Sequence, residues 1–447
     1  VINNGRIVMY GANNVGIQTN QASQDLSGSK IILNKPIEVN GDESIGIEIA
    51  RNMDYGYGGV TPGAYDPQTA VFKVSLGTES NKYSGDLNDP NFVENSVGLY
   101  INITSYYSAA NIERLRNFDF KFGDYAKDST LIYVKKGNLL LDTGGTGIID
   151  ITAGKNNTVI AGNTSDSKIT IKTDINIGNA TTEVENTTAV FGKDKAVIDL
   201  YGNIYVNGSG SSGFALKNDG TGNAVGTMHT GSAITVKKGA TGIYNDGTFN
   251  MTDGTIEATG DSAVAVYGAT GNTDTNINGG TIEAGSGGIA LFSGNGSKIN
   301  IKSAAGIKAN AGGLLFYNHA GGTFTGKYVL DGVVSPRVEA GGMVFYYKGG
   351  SLSISDLAGI PNILNSFEAK TLFGTDKLDL KMAAGSSLIY LETTPGLTKN
   401  ISDLNSLPLT PLSASWLTVT PDSGAVIKTY TLSDLNLILD NDGDSNL

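Results

Sequence analysis

Hydrophobic residues recur along this chain in short runs that are separated by glycine-containing turns. The clearest examples are GGIALFSGNG at 287–296, GGLLFYNHAGG at 312–322 and GGMVFYYKGG at 341–350. Each opens with two glycines, passes through four or five apolar or aromatic residues and then breaks at a turn. The starts at Gly287, Gly312 and Gly341 recur within the range of periods that is typical of stacked repeats.

Strand-like alternation fills the space between these runs. The phrase DGTIEA at 253–258 returns as GGTIEA at 279–284, and its alternating polar and apolar residues predict short strands with one buried face. The repeats align at Ala215, Gly242, Ala265, Ala290, Leu315 and Val344, so successive coils differ somewhat in length. The sequence therefore predicts an all-β fold: a right-handed parallel β-helix (β-solenoid) with protruding loop insertions and coils of about 25 residues.

Aromatic residues recur at the coil period in the second half of the chain. The positions are Tyr244, Tyr267, Phe292, Phe316 with Tyr317, and Phe345 with Tyr346 and Tyr347. Recurrence at the coil period predicts a stack of rings that belongs to the scaffold.

Three segments of the first half have the chemistry of loops and predict insertions near 51–70, 78–94 and 104–129. Within the third, Ser108 followed by Glu113 predicts a short helix over 108–118. Residues 1–350 are predicted to form the solenoid. Residues 351–447 are richer in leucine and proline, and predict either a continuation with larger coils or a capping region, with a second short helical insertion over 360–370.

Composition narrows the function classes. The 447 residues carry a net charge of −12, which argues against nucleic acid and anionic membrane as partners, and the sequence predicts no basic patch. The chain contains no cysteine, as suits a bacterial surface protein that crosses the periplasm unfolded. No apolar run is long enough for a membrane-spanning helix, and the strand-like start at Val1 favours a segment of a longer protein.

Tyrosine and arginine are concentrated in the predicted insertions. These residue types dominate recognition surfaces, and tyrosine also stacks on sugars. The candidate receptor-binding residues are Tyr55, Tyr57, Tyr65, Tyr83, Tyr106, Tyr107, Arg114 and Arg116. Phe118, Phe120 and Phe122 alternate, and we expect them to pack the third insertion onto the solenoid.

The residues that would suggest an enzyme have structural explanations. Asp199, Asp219, Asp246, Asp253 and Asp261 lie near strand ends in turn-like sequences, where aspartate is common. The two histidines, His229 and His319, are far apart, and the acidic residues 440–444 lack the spacing of a calcium loop. We therefore expect no catalytic, cofactor-binding or metal-binding residues. A polysaccharide lyase or hydrolase and a purely structural stalk are the alternatives.

The repeats GGIALFSGNG, GGLLFYNHAGG, TGIYNDGTFNMTDGTIEA and SVGLYIN resemble passenger segments of large fusobacterial type V autotransporter adhesins, the RadD-like outer-membrane proteins. The resemblance covers most of residues 1–350. It implies a β-helix exposed on the bacterial cell surface that attaches to a host-cell receptor or glycan, or to a surface protein of another bacterium. It also implies that the full protein carries a translocator barrel, so that this segment does not itself enter the membrane.

Overall fold

The computed structural model describes most of the chain. The described residues are 2–3, 5–19, 30–33, 35–50, 54–55, 72–80, 92–103, 113–115, 118–142, 147–218, 220, 222–269, 274–318, 326–348, 366–371, 374–392, 416–423 and 437–440. They contain strands and turns but no helix. They form two compact units, residues 1–234 and 235–447, which we call unit 1 and unit 2.

Unit 2 consists of coils that each supply a strand to three parallel sheets. Sheet 1 contains Thr241–Asp246, Ala263–Gly268, Gly288–Ser293, Leu314–Asn318, Met343–Lys348, Ser387–Glu392 and Leu437–Asp440. Sheet 2 contains Thr248–Met251, Asp274–Ile277, Lys298–Lys302, Lys327–Asp331 and Phe367–Ala369. Sheet 3 contains Thr255–Ala258, Thr281–Ala284, Gly306–Ala309, Val333–Val334, Arg337–Val338, Lys377–Met382 and Leu417–Pro421.

Unit 1 repeats the three-sheet plan. Sheet 1 contains Val15–Thr19, Ile45–Ile49, Val97–Asn102, the first part of Thr130–Leu141, Thr158–Gly162, Thr188–Gly192 and Ser212–Lys217. On the sheet 2 side lie Ile2–Asn3, Lys30–Leu33, Asp54–Tyr55, Glu113–Leu115, the second part of Thr130–Leu141, Ser167–Ile171, Val197–Leu200 and Val225–Met228. On the sheet 3 side lie Ile7–Met9, Ile37–Val39, Phe72–Leu76, Phe118–Phe122, Ile149–Ile151, Ile175–Ile177 and Asn203–Val206. Val93–Glu94 pairs with Ala126–Lys127 between sheets 3 and 1, and Ala233–Val236 spans the division between the units.

The strand pairing confirms the predicted parallel β-helix and its coil length. In unit 2, one register position of sheet 1 is occupied by Ile243, Val266, Leu291, Phe316 and Phe345. Each of these directly follows one of the last five residues of the sequence alignment, from Gly242 to Val344, so the observed intervals within unit 2 are the predicted ones. All five side chains are at most 1% exposed, so each coil buries its apolar residues against those of the next.

One corner of the described coils has left-handed backbone geometry. The residue with positive φ lies two positions before the first paired residue of the sheet 1 strand. In unit 1 these residues include Asn13, Glu43, Asn95, Asp128, Asn156 and Asn186, with φ between 48° and 59°. In unit 2 they are Gly239, Ser262, Gly287, Gly312 and Gly341, with φ between 60° and 77°. Asparagine and glycine tolerate this conformation best, which explains their abundance at the corners.

A line of buried side-chain hydrogen bonds runs beside this corner in unit 1. The backbone N–H of Ser44 donates to Ser96 Oγ, that of Ser96 to Ser129 Oγ, and that of Ser129 to Asn157 Oδ1, at 3.1, 3.1 and 2.9 Å. All four residues are at most 2% exposed. The small polar residue before each strand therefore satisfies a backbone donor that the turn leaves unpaired.

The helix predicted over 108–118 is wrong wherever the structure describes that segment. Glu113–Leu115 is a strand paired with Leu139–Leu141, and Phe118 opens a strand paired with Phe72–Leu76. The helix predicted over 360–370 is likewise wrong at Phe367–Ala369, which pairs with Tyr328–Leu330. In both places parallel pairing overrides a weak local helix preference.

The described strands after residue 350 continue the sheets of unit 2. Lys377–Met382 pairs with strands on either side, and Ser387–Glu392 pairs with Met343–Lys348. The predicted change at residue 350 does not coincide with the division between the units, which falls after Ile234.

A buried carboxylate makes the stability of unit 1 depend on pH. The Glu38 side chain is 12% exposed, and both of its oxygens accept hydrogen bonds from the Arg6 guanidinium at 2.6 Å. These bonds hold the pKa of Glu38 below its usual range despite its burial. A lowered carboxyl pKa stabilises the fold above the unfolded-state pKa of about 4.3, and this stability is lost as pH falls through the folded-state pKa.

We therefore expect Glu38→Gln to be less stable than the wild type at neutral pH, with the difference shrinking below about pH 4. Urea unfolding of the full chain at a series of pH values measures this difference. Asp119→Asn, which changes a 41% exposed carboxylate on the same side, is the control and should show little difference at any pH. A gap for Glu38→Gln that is constant with pH would contradict the prediction.

Candidate functional site

The structure describes two of the eight predicted receptor-binding residues, and only by their strands. Tyr55 belongs to Asp54–Tyr55 and Arg114 to Glu113–Leu115, both on the sheet 2 side of unit 1. The other six, Tyr57, Tyr65, Tyr83, Tyr106, Tyr107 and Arg116, lie outside the described residues. The proposed site is thus located only by the strands on either side of each segment.

These flanking strands show that the predicted segments leave the solenoid at different corners. Residues 104–112 connect a sheet 1 strand to a sheet 2 strand. We call the side of each coil where the chain passes from sheet 1 to sheet 2 corner 1–2. Residues 56–71 connect sheet 2 to sheet 3, and residues 81–91 precede the return to sheet 1. The three segments therefore start from three sides of two consecutive coils and share no single corner.

The third insertion is shorter than predicted. Phe118, Phe120 and Phe122 are at most 4% exposed and pair in parallel with Phe72–Leu76, so they are core residues of a coil. Ala126–Lys127 also pairs, with Val93–Glu94. The three phenylalanines are buried as predicted, but the prediction that they pack an insertion onto the solenoid is wrong, because they belong to a strand of the solenoid itself.

Most of the variation in coil length in unit 2 falls at corner 1–2. In the four coils between Thr241 and Met343, the number of residues from the first paired residue of the sheet 1 strand to that of the sheet 2 strand nearly doubles, whereas the number from there to the next sheet 1 strand stays almost constant. The coil that follows has a longer return, from Phe367 to Ser387. The outward steps run from Thr241 to Thr248, Val264 to Asp274, Ile289 to Lys298 and Leu314 to Lys327. The return steps run from Thr248 to Val264, Asp274 to Ile289, Lys298 to Leu314 and Lys327 to Met343. The scaffold thus tolerates insertion at this corner without a change of register, which is how binding loops are usually carried on a rigid fold.

The predicted aromatic stack divides into an outer and an inner column. Tyr244, Tyr267, Phe292 and Tyr317 share one register position on the outer face of sheet 1, where they are partly exposed. Their ring centroids are 5.3, 4.7 and 4.6 Å apart. Phe316 and Phe345, grouped with them by the sequence, are buried in the core instead.

The outer column lies beside corner 1–2 and next to a second apolar group. Ile289, Leu314 and Met343 form a cluster against which Phe292 and Tyr317 pack. Rings held by neighbours on both sides lose little entropy when a ligand binds, and tyrosine adds a hydroxyl for hydrogen bonding. This column is the best-defined candidate contact surface of unit 2.

The residues that raised the possibility of an enzyme occupy ordinary positions where they are described. Asp199 lies within a strand, not in a turn as the sequence suggests, and its Oδ1 is 2.8 Å from His229 Nε2. The His229 ring stacks on Tyr201 at 4.2 Å, and Ser232 Oγ donates to the carbonyl of His229. Ser232 therefore contacts the backbone and not the imidazole, unlike the nucleophile of a Ser–His–Asp triad. Asp219, His319 and residues 441–444 lie outside the described residues.

No protein-family model, curated protein or solved structure matches this chain. Membership of the adhesin family accordingly stays a prediction from the repeats. In the part of the chain that the structure describes, there is no helix long and apolar enough to cross a bilayer, and no group of three metal-ligating side chains.

Proposed function

We propose that this chain is an adhesive segment of a bacterial surface protein, which binds a protein or glycan receptor without catalysis. The observation that carries the proposal is the contrast between the constant register of the strands and the variable length of the connections. A scaffold that keeps its core while its corners accept insertions is suited to presenting recognition residues. The resemblance of the repeats to surface-exposed passenger segments supports placing the chain at the outer surface.

Tyrosine and arginine remain the proposed contact residues of unit 1. The segments 56–71 and 104–112 hold four of the eight, Tyr57, Tyr65, Tyr106 and Tyr107, and are bounded by strands that pair in register. Leu115 and Phe118, which follow segment 104–112, are buried in the core. Ligand contacts within that segment would therefore leave the core unchanged.

Replacing residues 56–71 and 104–112 by short Gly-Ser turns is expected to abolish binding of the full chain to host cells and partner bacteria. The replacement must spare Glu113–Leu115 and residues 118–127, because these contain core strands. Binding is measured with labelled protein, after circular dichroism has shown that the strand content is retained.

A chain with residues 349–365 replaced in the same way is the control, since this unit 2 segment is of similar length. Equal loss of binding in both variants would contradict a receptor site in the predicted insertions. Failure of the wild type to bind either kind of cell would favour the stalk alternative. Release of reducing sugar from polysaccharides that is lost on changing one carboxylate would overturn the non-enzymatic proposal.

A further inference from the structure

Lysines converge on corner 1–2 of unit 1, contrary to the prediction from sequence that the chain has no basic patch. Val134, Gly162, Gly192 and Leu216 occupy one register position in four successive coils. The residues that follow them are Lys135, Asn163, Lys193 and Lys217. Adjacent coils lie about 4.8 Å apart, so three of the lysines fall in one column about 14 Å long.

Further lysines flank this column, and the charge is only partly neutralised. The whole group, which we call the lysine cluster, is Lys135, Lys136, Lys168, Lys193, Lys195 and Lys217. Lys136 lies 3.4 Å from Asp166 and Lys193 lies 3.8 Å from Asp194. Within the described residues, the other four lysines have no carboxylate at ion-pair distance, and all four are exposed.

Lys193 and Lys217 follow equivalent positions of adjacent coils. Like charges at equivalent positions of adjacent strands repel each other. In unit 2, by contrast, the basic residues at equivalent positions of adjacent strands, Lys298 with Lys327 and Lys308 with Arg337, each lie at ion-pair distance from a carboxylate. The corresponding positions of unit 2 carry Asp246, Ala269 and Gly294, which shows that the fold does not require lysine there.

Partly exposed aromatic rings lie beside the lysines on the outer face of sheet 1. Tyr133 comes two residues before Lys135, and Phe191 two residues before Lys193. Tyr133 stacks on Tyr100 at 5.5 Å with nearly parallel planes, and Lys217 Nζ lies 6.0 Å from the centre of the Phe191 ring. The lysine cluster and the aromatic rings beside it therefore both extend from coil to coil, so one ligand could contact charged groups and rings at the same time.

We propose that the lysine cluster binds an acidic polysaccharide, with lysines pairing its carboxylates or sulfates and Tyr133 and Phe191 contacting the apolar faces of its sugars. An acidic glycan that bears one charge every second sugar suits a cluster that is small and lies on a negative protein. A nucleic acid, with one charge per nucleotide, would be repelled beyond the ends of the cluster. The lysine cluster begins one coil after the strand that precedes segment 104–112, at the same corner, but it contains no residue of segments 56–71 and 104–112. The variants that test this proposal and the proposed function therefore change different residues.

The test measures binding of the full chain to hyaluronate and to unsulfated chondroitin, which carry one carboxylate on every second sugar, with neutral dextran, poly-dT and poly-glutamate as comparison probes. Changing Lys135, Lys193 and Lys217 together to glutamine is expected to lower the affinity for the acidic glycans roughly tenfold or more at low salt and to weaken the salt dependence. The control changes Lys298, Lys302 and Lys370 to glutamine, which removes the same charge from exposed positions of unit 2. It should bind like the wild type.

A second variant separates sugar recognition from charge. Phe191→Ser is expected to weaken binding of hyaluronate severalfold while leaving the salt dependence unchanged. Equal binding by wild type and triple variant, or equal loss in the unit 2 control, would overturn the proposal. Tighter binding of poly-dT or poly-glutamate than of either glycan would overturn the assignment of the partner class. These outcomes do not depend on whether the chain adheres to cells.

Discussion

Replacing Phe316 by alanine is expected to destabilise unit 2 by about 3–5 kcal/mol, whereas Tyr317→Ala should cost less than half as much. Phe316 is fully buried, and its ring centroid lies 5.0 Å from that of Tyr328 and 5.2 Å from that of Phe367. The neighbouring Tyr317 is partly exposed on the outer face of sheet 1 and contacts Phe292 at 4.6 Å. Removing the buried ring leaves a cavity between coils, but removing the outer one mainly exposes surface.

Urea unfolding followed by tryptophan fluorescence measures this difference within unit 2. Trp416 is the only tryptophan of the chain, is 7% exposed and lies 5.2 Å from Phe367 between ring centroids. Its emission therefore reports on the same aromatic group that Phe316 contacts. If Tyr317→Ala proved the more damaging substitution, the inner and outer faces of sheet 1 would have been assigned the wrong way round.

This pair of residues also shows where the sequence stops being informative. The alignment of Ala265, Ala290, Leu315 and Val344 predicts the register of unit 2 correctly. It cannot separate Phe316 from Tyr317, because sheet 1 strands place two successive residues in the core: Leu315 and Phe316 are both fully buried. The usual rule that every second residue of a strand faces the core fails where two successive residues are both buried.

The first half of the chain shows a different limit. FDFKF at 118–122 alternates in the same way as FKVSL at 72–76, and this match is a signal in the sequence that the two strands pair. The loop composition of the residues between them nevertheless favours placing FDFKF in an insertion. Helix-favouring residues at 108–118 reinforce the error, although pairing with a neighbouring coil decides the conformation of so short a segment.

The candidate surfaces are predictable only in part. The tyrosines and arginines of the insertions are visible in the sequence because they lie close together along the chain. The lysine cluster is not, since Lys135, Lys193 and Lys217 are far apart in the sequence and meet only when coils stack. A surface that crosses several coils of a solenoid is assembled from residues about one coil apart in the sequence. The amino-acid composition of any short segment of the sequence therefore does not reveal it.

Gly313→Ala is expected to destabilise unit 2 by about 2–4 kcal/mol, while Gly306→Ala should change the free energy of unfolding by about 0.5 kcal/mol or less. A Cβ added at Gly313 would lie 2.3 Å from the carbonyl oxygen of Ala284 in the preceding coil and 2.7 Å from its carbon. Both are backbone atoms, so relief requires the coils to move apart. At Gly306 the nearest atom is Thr281 Oγ1 at 3.3 Å, a side chain that can shift.

The comparison tests why the repeats begin with two glycines. Gly312 has φ of 71° and provides the left-handed corner, while Gly313 allows the close approach of the coil before it. The same Trp416 unfolding curves measure both variants. Equal stability of Gly313→Ala and wild type would mean that the corner has room for a side chain. The second glycine of each repeat would then need an explanation other than the packing of one coil on the next.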